Sequence, residues 1–181
     1  MNVAERLRHR FPDAVREIVR HRGETTVRVT RSGLVEVCRW LREEPDLAFR
    51  FLANLTTVDY PGRRPRFDVV YHLLSHARHE RLRLKVGVSE HDPRLPTLTD
   101  LWRSADWCER EVFDLFGLHF DGHPNLVRLL LPDDYEGHPL RKEALEGRDP
   151  VPFDLRQAPR QGHAGYRVFP PSTPVERPDE C

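Results

Sequence analysis

The sequence predicts a two-layer α+β domain in which helices cover one face of a mixed β-sheet of about five strands. Apolar stripes at helical spacing are followed by runs that alternate apolar and polar residues, in the order α-β-β-α-β-β-β. The clearest strand, residues 81–88, alternates aliphatic residues with Arg81, Arg83 and Lys85, a pattern typical of a sheet with one solvated face. Beyond Leu131 this periodicity ends and prolines accumulate, which predicts an extended C-terminal segment.

The first predicted elements are one helix and two strands. Residues 3–11 have apolar side chains at helical spacing, and Pro12 ends this helix. Residues 14–20 and 25–30 alternate apolar with polar side chains, so both are predicted to be strands. Gly23 lies between them in a plausible turn, which makes the two strands neighbours.

A second helix follows, and then a stretch with two interpretations. Ser32 is predicted to cap the helix, which ends before Pro45. Its apolar stripe consists of Leu34, Val37, Cys38 and Leu41. Residues 49–60 are ambiguous, because their first half fits a helix whereas Leu-Thr-Thr-Val at 55–58 is rich in β-formers.

The centre of the chain predicts an antiparallel pair of strands. Asp-Tyr-Pro-Gly at residues 59–62 is a strong turn signal, and residues 67–74 are then predicted to be a strand. The link to the strand at residues 81–88 spans residues 75–80, which is short enough for a hairpin.

The stretch from residue 106 to residue 142 holds the distinctive residues of the chain. Its first part predicts a helix with Asp106 as N-cap and Gly117 as the terminating glycine. Cys108, Val112 and Leu115 form its apolar stripe, which the aromatic residues Trp107, Phe113 and Phe116 are predicted to widen. Arg110, Glu111 and Asp114 form a charged strip on another side of the helix. Such a strip is either simply solvated or makes arginine–carboxylate pairs across a contact between subunits.

Composition excludes several classes of protein. The 29 Lys and Arg residues balance the 29 Asp and Glu residues, so the chain lacks the positive charge of a nucleic-acid binder. No run of about 18 apolar residues is present, and the N-terminus lacks a secretory signal, so we expect the chain to stay in the cytoplasm. Cys38, Cys108 and Cys181 are too scattered for a disulfide framework or an iron–sulfur motif.

A longer pattern resembles a known family. Residues 109–117 read Glu-Arg-Glu-Val-Phe-Asp-Leu-Phe-Gly and are followed by two Gly-His-Pro units, at residues 122–124 and 137–139. Together they closely resemble the family of the C subunit of NADH:quinone oxidoreductase, respiratory complex I, and the likeness continues upstream through residues 51–74 and 82–88. In that family the second unit usually continues with Lys-Asp and a proline, whereas here Lys142 is followed by Glu, Ala and Leu.

The resemblance implies a non-catalytic, structural subunit of the peripheral arm. The complex passes electrons from NADH through FMN and iron–sulfur centres to quinone and translocates protons, with these cofactors held by other subunits and no metal or cofactor in this chain. The implied partners are mainly the large D subunit, with the B subunit nearby, on the cytoplasmic side of the membrane. The implied interface residues are Glu109, Arg110, Glu111, Asp114, Gly122, His123, Pro124, Gly137, His138, Pro139, Leu140, Arg141 and Lys142.

Two alternatives stay open. The chain could be the equivalent subunit of a membrane-bound hydrogenase or of a ferredoxin-dependent complex, since the electron-input module lies in other chains. It could instead be an autonomous metal-dependent hydrolase that uses His119, His123 and His138. Gly122 and Pro124 disfavour the second alternative, because they break the helical spacing that would bring two imidazoles together. Neither a dinucleotide-binding nor a P-loop glycine pattern occurs.

The predicted division is a folded domain at residues 1–131 and an extended segment at residues 132–181. Eight of the sixteen prolines lie beyond Asp133. At about 1–2 kcal/mol of backbone entropy per residue, ordering such a segment needs apolar burial on the scale of a large subunit interface. We therefore expect it either to be disordered or to lie along another protein.

Overall fold

The computed structural model describes residues 2–145, which contain four helices and seven strands. In chain order the elements are α1 (Val3–Arg10), β1 (Val15–His21), β2 (Glu24–Val29), α2 (Leu34–Glu43), β3 (Phe51–Asp59), β4 (Phe67–Ser75), β5 (Glu80–Val88), β6 (Arg94–Pro96), α3 (Ser104–Phe116), β7 (His119–Asp121) and α4 (Lys142–Leu145).

Five strands form one mixed sheet in the order β1-β2-β5-β4-β3. Only the pair β2–β5 is parallel, and the other three pairs are antiparallel. The predicted α+β architecture with a mixed five-stranded sheet is therefore confirmed, and the ambiguous residues 49–60 become the edge strand β3. Strands β6 and β7 form a separate parallel pair that the sequence did not predict. At three residues each, they are too short to show a period of two.

The helices cover one face of the large sheet, where the alternating aliphatic residues meet. Val27, Leu84 and Tyr71 lie side by side across β2, β5 and β4, and all three are fully buried. They belong to the same core as Leu7 of α1 and Val112 of α3. The alternation in the sequence thus corresponds to one buried layer between the sheet and its helices.

The other face of the sheet carries charged side chains in cross-strand pairs. Arg28 donates two hydrogen bonds to Asp68, at 2.8 and 3.1 Å. Arg83 donates to Glu24 at 2.6 Å. Long arginine stems cover the sheet while their guanidinium groups stay paired, which keeps this face polar.

The first two helices begin in different ways. Asn2 and Glu5 form a capping box at α1. The predicted Ser32 cap of α2 is wrong, because the N-cap is Gly33 and no side chain bonds to the first turn from there. Thr30 supplies the local acceptor instead: its hydroxyl oxygen receives the Gly33 N–H at 3.3 Å.

Helix α3 begins before its predicted cap. Asp106 lies inside the first turn, and the N-cap position is occupied by Arg103. Two contacts with the edge strand region fix this start: the Ser104 hydroxyl donates to the Leu52 carbonyl at 3.0 Å, and the Trp102 indole donates to the Phe49 carbonyl at 3.2 Å. Tertiary contacts therefore replace the side-chain cap that the sequence favoured.

The folded part continues beyond the predicted boundary at residue 131. Residues 138–142 bond to helix α3 and to the end of β3, and α4 follows directly. The predicted extended segment accordingly does not begin at residue 132. Its remainder, residues 146–181, lies outside the residues that the structure describes.

Candidate partner interface around helix α3

The predicted interface residues lie on α3 and in the segment that follows it. We call residues 122–142 the strap, because this segment runs back along α3 and bonds to it repeatedly. The strap contacts both halves of the helix, and the two Gly-His-Pro units mark its turns. Gly122 and Gly137 both have a positive φ, 84° and 88°, which explains glycine at these positions.

Glu109 is buried on the core side of α3. Its carboxylate accepts a hydrogen bond from the Leu98 N–H at 2.8 Å and another from the Thr97 hydroxyl at 2.5 Å. Burial raises the pKa of Glu109 to about 7, even though these two donors favour the ionised form. Glu109 thus holds the loop after β6 against α3, and it is not available to a partner in this conformation.

His123 fills a buried space beside the first half of α3. Its side chain is 0% exposed. Its Nδ1 accepts the Asn125 N–H at 3.1 Å, so the ring proton of neutral His123 resides on Nε2. That Nε2 faces the Asp106 carbonyl and carboxylate oxygens, each at 3.3 Å, and a Glu109 carboxylate oxygen at 4.0 Å. The first Gly-His-Pro unit is therefore anchored to the helix within the chain.

Asp114 is also buried, which corrects the prediction of an exposed charged strip. One carboxylate oxygen accepts the N–H groups of Leu129, Leu130 and Leu131 at 3.0, 2.8 and 2.9 Å. Burial disfavours the ionised carboxylate, but the three backbone donors and Arg128 outweigh it, so the pKa of Asp114 is lowered. Asp114 organises the middle of the strap.

Arg110 holds the same part of the strap from the outside of α3. Its guanidinium donates to the Val127 carbonyl at 3.1 Å and to the Arg128 carbonyl at 3.0 Å. The Cζ atom of this guanidinium also lies 5.1 Å from the centre of the Trp107 ring. Next to it, Glu111 is exposed.

The second Gly-His-Pro unit caps the C-terminal end of α3. His138 Nδ1 donates to the Asp114 carbonyl at 3.0 Å, the Leu140 N–H donates to the Leu115 carbonyl at 3.1 Å, and Arg141 Nε donates to the Phe116 carbonyl at 2.7 Å. These carbonyls would otherwise end the helix without partners. A loop that is distant in sequence thus satisfies three successive carbonyls.

Gly117 is required where His138 packs. It ends α3 with φ of 72°, in the left-handed region that glycine adopts without strain. A Cβ at this position would lie 2.3 Å from His138 Nε2. The close approach of the second Gly-His-Pro unit and the helix stop therefore depend on the same glycine.

The end of the strap is attached to the sheet. The Lys142 N–H donates to Asp59 at 2.9 Å, and Asp59 also receives two hydrogen bonds from Arg66, both of 2.8 Å. Arg66 forms a further ion pair with Glu143 at 2.8 Å. The arginine beside Asp59 lowers the pKa of this carboxyl group. Glu143 occupies the position after Lys142, where the family usually has Asp. Its negative charge joins this cluster through Arg66.

The predicted interface residues thus fall into three groups. Glu109 and Asp114 are buried and bonded within the chain; Arg110, His123, His138, Pro139 and Arg141 are half-buried as whole residues, and the last four belong to the strap. The exposed members are Glu111, Gly122, Pro124, Gly137, Leu140 and Lys142. Contact of these residues with a partner stays a prediction.

The three histidines of the hydrolase alternative are not brought together. His123 contacts the first half of α3, whereas His138 contacts the C-terminal end of this helix. The ring of His119 lies edge-on to the ring of Phe113, with 6.5 Å between the ring centres. Among residues 2–145, no group of three or more His, Cys, Asp and Glu side chains is arranged to hold a metal ion. Nor does this part of the chain contain a helix with the length and hydropathy needed to cross a bilayer.

The burial of Glu109 could have been predicted from the spacing of residues along α3. Ala105, Glu109, Val112 and Phe116 share one helical stripe and are all buried. The prediction that Trp107 widens the apolar face of α3 is wrong, because this side chain is 60% exposed. The prediction also missed Asp59, whose role depends on residues far along the chain. A tryptophan off the apolar stripe is the signal that could have revealed Trp107.

Residues 27–149 match the family described as respiratory-chain NADH dehydrogenase, 30 Kd subunit. The C subunit of NADH-quinone oxidoreductase from Roseiflexus sp. (strain RS-1) is 52% identical over 155 residues, covering 86% of this chain and 89% of the relative. The C subunit from Geobacter sulfurreducens is 44% identical over 153 residues, covering 83% and 93% of the two chains.

Solved structures agree with this match. The trypsin-resistant fragment (1-134) of Nqo5 superposes with a TM-score of 0.58 at 37% identity, covering 68% of this chain and 96% of that one. A chain of the membrane-bound sulfane sulfur reductase, an archaeal respiratory membrane complex, gives a TM-score of 0.68 at 23% identity, covering 90% and 97%, and shares the fold. The chain therefore belongs to the family of the respiratory-chain NADH dehydrogenase 30 kDa subunit, which is that of the C subunit of NADH-quinone oxidoreductase.

Proposed function

We propose that this chain is a non-catalytic structural subunit of the peripheral arm of a proton-translocating NADH:quinone oxidoreductase. It docks mainly on the large D subunit, with the B subunit nearby, on the cytoplasmic side of the membrane. It supports the transfer of electrons from NADH through FMN and iron–sulfur centres, held by other subunits, to quinone. The observation that carries this proposal is that most charged residues and both histidines of the family pattern bond to the chain's own backbone, with the side chains of Glu111 and Lys142 as exceptions.

A catalytic acid, base or nucleophile needs access to a substrate. Glu109 and His123 have no exposed side-chain surface, and the carboxylate of Asp114 is taken up by three backbone donors. Asp114 and His123 stabilise the strap and Glu109 stabilises the loop after β6, so the exposed surface of the strap is held in a fixed shape. A preorganised surface of this kind favours binding, because little conformational entropy is lost on association.

The groove at the N-terminal end of α3 and the cysteines of the domain bear on the same assignment. A groove of about 820 Å³ is lined by residues 42–43, 50–52 and 99–104. Its lining contains two carboxylates, Glu43 and Asp100, and three arginines, but no histidine or cysteine. Of the cysteines in the described part of the chain, Cys38 lies on α2 and Cys108 on α3, and both are free. Burial raises the pKa of both thiols, which disfavours the thiolate that binds iron–sulfur clusters.

A tagged chain expressed in its native host tests the proposal. We expect it to co-purify from detergent-solubilised membranes with flavin, iron and NADH:quinone reductase activity. Deletion of its gene is expected to abolish quinone reduction by preventing assembly. In variants that restore assembly, quinone reduction should return in proportion to the amount of assembled complex, measured by its flavin. A chain that purifies alone with an activity of its own, or unaltered quinone reduction in the deletion strain, would contradict the proposal.

The equivalent subunit of a complex with a different electron donor is the second candidate. The fold shared with a chain of the sulfane sulfur reductase favours it, since that fold occurs in more than one type of respiratory complex. The 52% identical relative named for NADH and quinone favours the first candidate. Assays of the purified complex with NADH, reduced ferredoxin and hydrogen separate the two.

A further inference from the structure

An outward-facing ridge of helix α3 carries an exposed tryptophan between two arginines. We call Arg103, Trp107, Arg110 and Glu111 the α3 ridge, because their spacing of four, seven and eight residues places them on one side of the helix. Trp107 is 60% exposed. Tryptophan is normally well buried in a folded chain, and one left this exposed marks an interaction surface more often than scattered aliphatic residues do.

Arg110 is fixed to the strap before any partner arrives. Its guanidinium donates to the carbonyls of Val127 and Arg128, and it also contacts the face of the Trp107 ring. The strap segment that bonds to Arg110 and Asp114 also exposes apolar side chains, with Val127 48% and Leu130 62% exposed. The bonds to α3 hold the backbone of this segment in place before a partner binds, which lowers the entropy cost of association.

Neither arginine of the ridge forms an ion pair with a carboxylate of residues 2–145. The hydrogen bonds of Arg110 go to neutral carbonyl oxygens, and Arg103 lies within 4.0 Å of no carboxylate in this part of the chain. A guanidinium group in contact with an apolar surface favours a paired carboxylate, which it binds through two parallel hydrogen bonds. Glu111 is also exposed and offers one negative charge at the edge of the ridge.

We propose that the α3 ridge is a docking anchor, in which Trp107 enters an apolar socket of a partner protein whose carboxylates meet Arg103 and Arg110. This inference rests on the proposed function and names the surface that carries it. Tryptophan and arginine dominate the binding energy of protein interfaces when they are central and desolvated. A second copy of this chain fits less well, because it would bring arginine against arginine.

Recovery of the membrane complex through a tag on the full chain tests the anchor. Trp107→Ala and Arg103→Glu are expected to lower the recovered complex at least tenfold, and Trp107→Phe to restore most of it. Val19→Ala and Arg81→Glu are the matched controls, because Val19 is a 44% exposed apolar residue on β1 and Arg81 is exposed on the other face of the sheet. Both controls should stay within twofold of the wild type, and every variant should keep the wild-type melting temperature.

A photoreactive phenylalanine analogue at position 107 identifies the occupant. The expected adduct joins this chain to a peptide of one other subunit that contains Asp or Glu. Normal recovery of both Trp107→Ala and Arg103→Glu overturns the anchor, as does an adduct with lipid or with a second copy. If the wild-type chain itself is recovered with no membrane oxidoreductase, the proposed function fails instead.

Discussion

Asp114 and His138 meet at the last turn of α3, although they are 24 residues apart in the chain. The His138 ring donates to the Asp114 carbonyl, while the Asp114 carboxylate receives the N–H groups of residues 129–131. The backbone and the side chain of one residue therefore hold two parts of the strap. This arrangement explains why the family pattern places an acid inside the helix and a histidine far downstream.

Removal of the Asp114 carboxylate should destabilise the domain. In Asp114→Ala, the N–H groups of Leu129, Leu130 and Leu131 lose their acceptor, and we expect a loss of about 3 kcal/mol in the free energy of unfolding. Urea denaturation of the full chain measures this loss. Glu111→Ala, which alters an exposed residue on the same helix, is the control and should stay within about 0.5 kcal/mol. Equal stability of the two variants would contradict the buried role of Asp114.

Replacement of Gly117 should be more harmful than replacement of an equally left-handed glycine elsewhere. Gly117→Ala adds a Cβ 2.3 Å from His138 Nε2, whereas a Cβ at Gly62, with φ of 77°, meets nothing within 4 Å. We expect losses of about 3 kcal/mol and about 1 kcal/mol in the free energy of unfolding, respectively. The double variant Gly117→Ala with His138→Ala should recover the steric part, so a strictly additive double-mutant cycle would count against this contact.

The raised pKa of Glu109 predicts that the free energy of unfolding falls as the pH rises. Its folded-state pKa of about 7 lies above the ordinary value of 4.5, so the folded chain binds more protons than the unfolded chain between these values. The contribution of neutral Glu109 to the free energy of unfolding is therefore fully present below about pH 4.5 and is lost as the pH rises towards 7. Relative to Glu109→Gln, the wild type should lose up to about 3 kcal/mol of unfolding free energy across this range. Urea titrations at pH 4.5, 6 and 7.5 measure the difference, and parallel curves would reject it.

Protease digestion should locate the end of the folded domain. The proline-rich sequence predicts that trypsin cuts the free chain beyond residue 145 and spares that region in the assembled complex. Arg141 and Lys142 are held by Phe116 and Asp59, so cleavage there should be slower. Mass spectrometry of the resistant fragment gives its C-terminus. Identical digestion of the free and assembled chain would exclude a wrapping segment.

The sequence predicted the elements of the fold better than the contacts between them. The alternation of residues 81–88 and the stripe of α2 depend on local spacing, and both predicted elements are present. The caps at Ser32 and Asp106 were wrong, since Thr30 and Ser104 are engaged through folded geometry that a local pattern does not contain. Helix ends are decided by whichever tertiary partner satisfies the free backbone groups.

The sequence predicted which residues belong to the candidate site but not the directions in which their side chains point. The Gly-His-Pro units were expected to turn the chain, and Gly122 and Gly137 do so. Their histidines point into the chain, because the strap brings each ring to a carbonyl of α3. Such pairings join residues that are distant in sequence, so no local pattern reveals them.

The parallel pairing of β2 with β5 constrains the order in which the chain acquires its structure. The hairpin of β1 and β2 leaves the ribosome first, yet its inner edge meets a neighbour only after residue 88 has been synthesised. Until then β2 presents open backbone groups and apolar side chains, which is a site for misassociation during translation. Nascent chains shorter than this length should consequently depend on chaperones, because the sheet can close only after β5 has been synthesised.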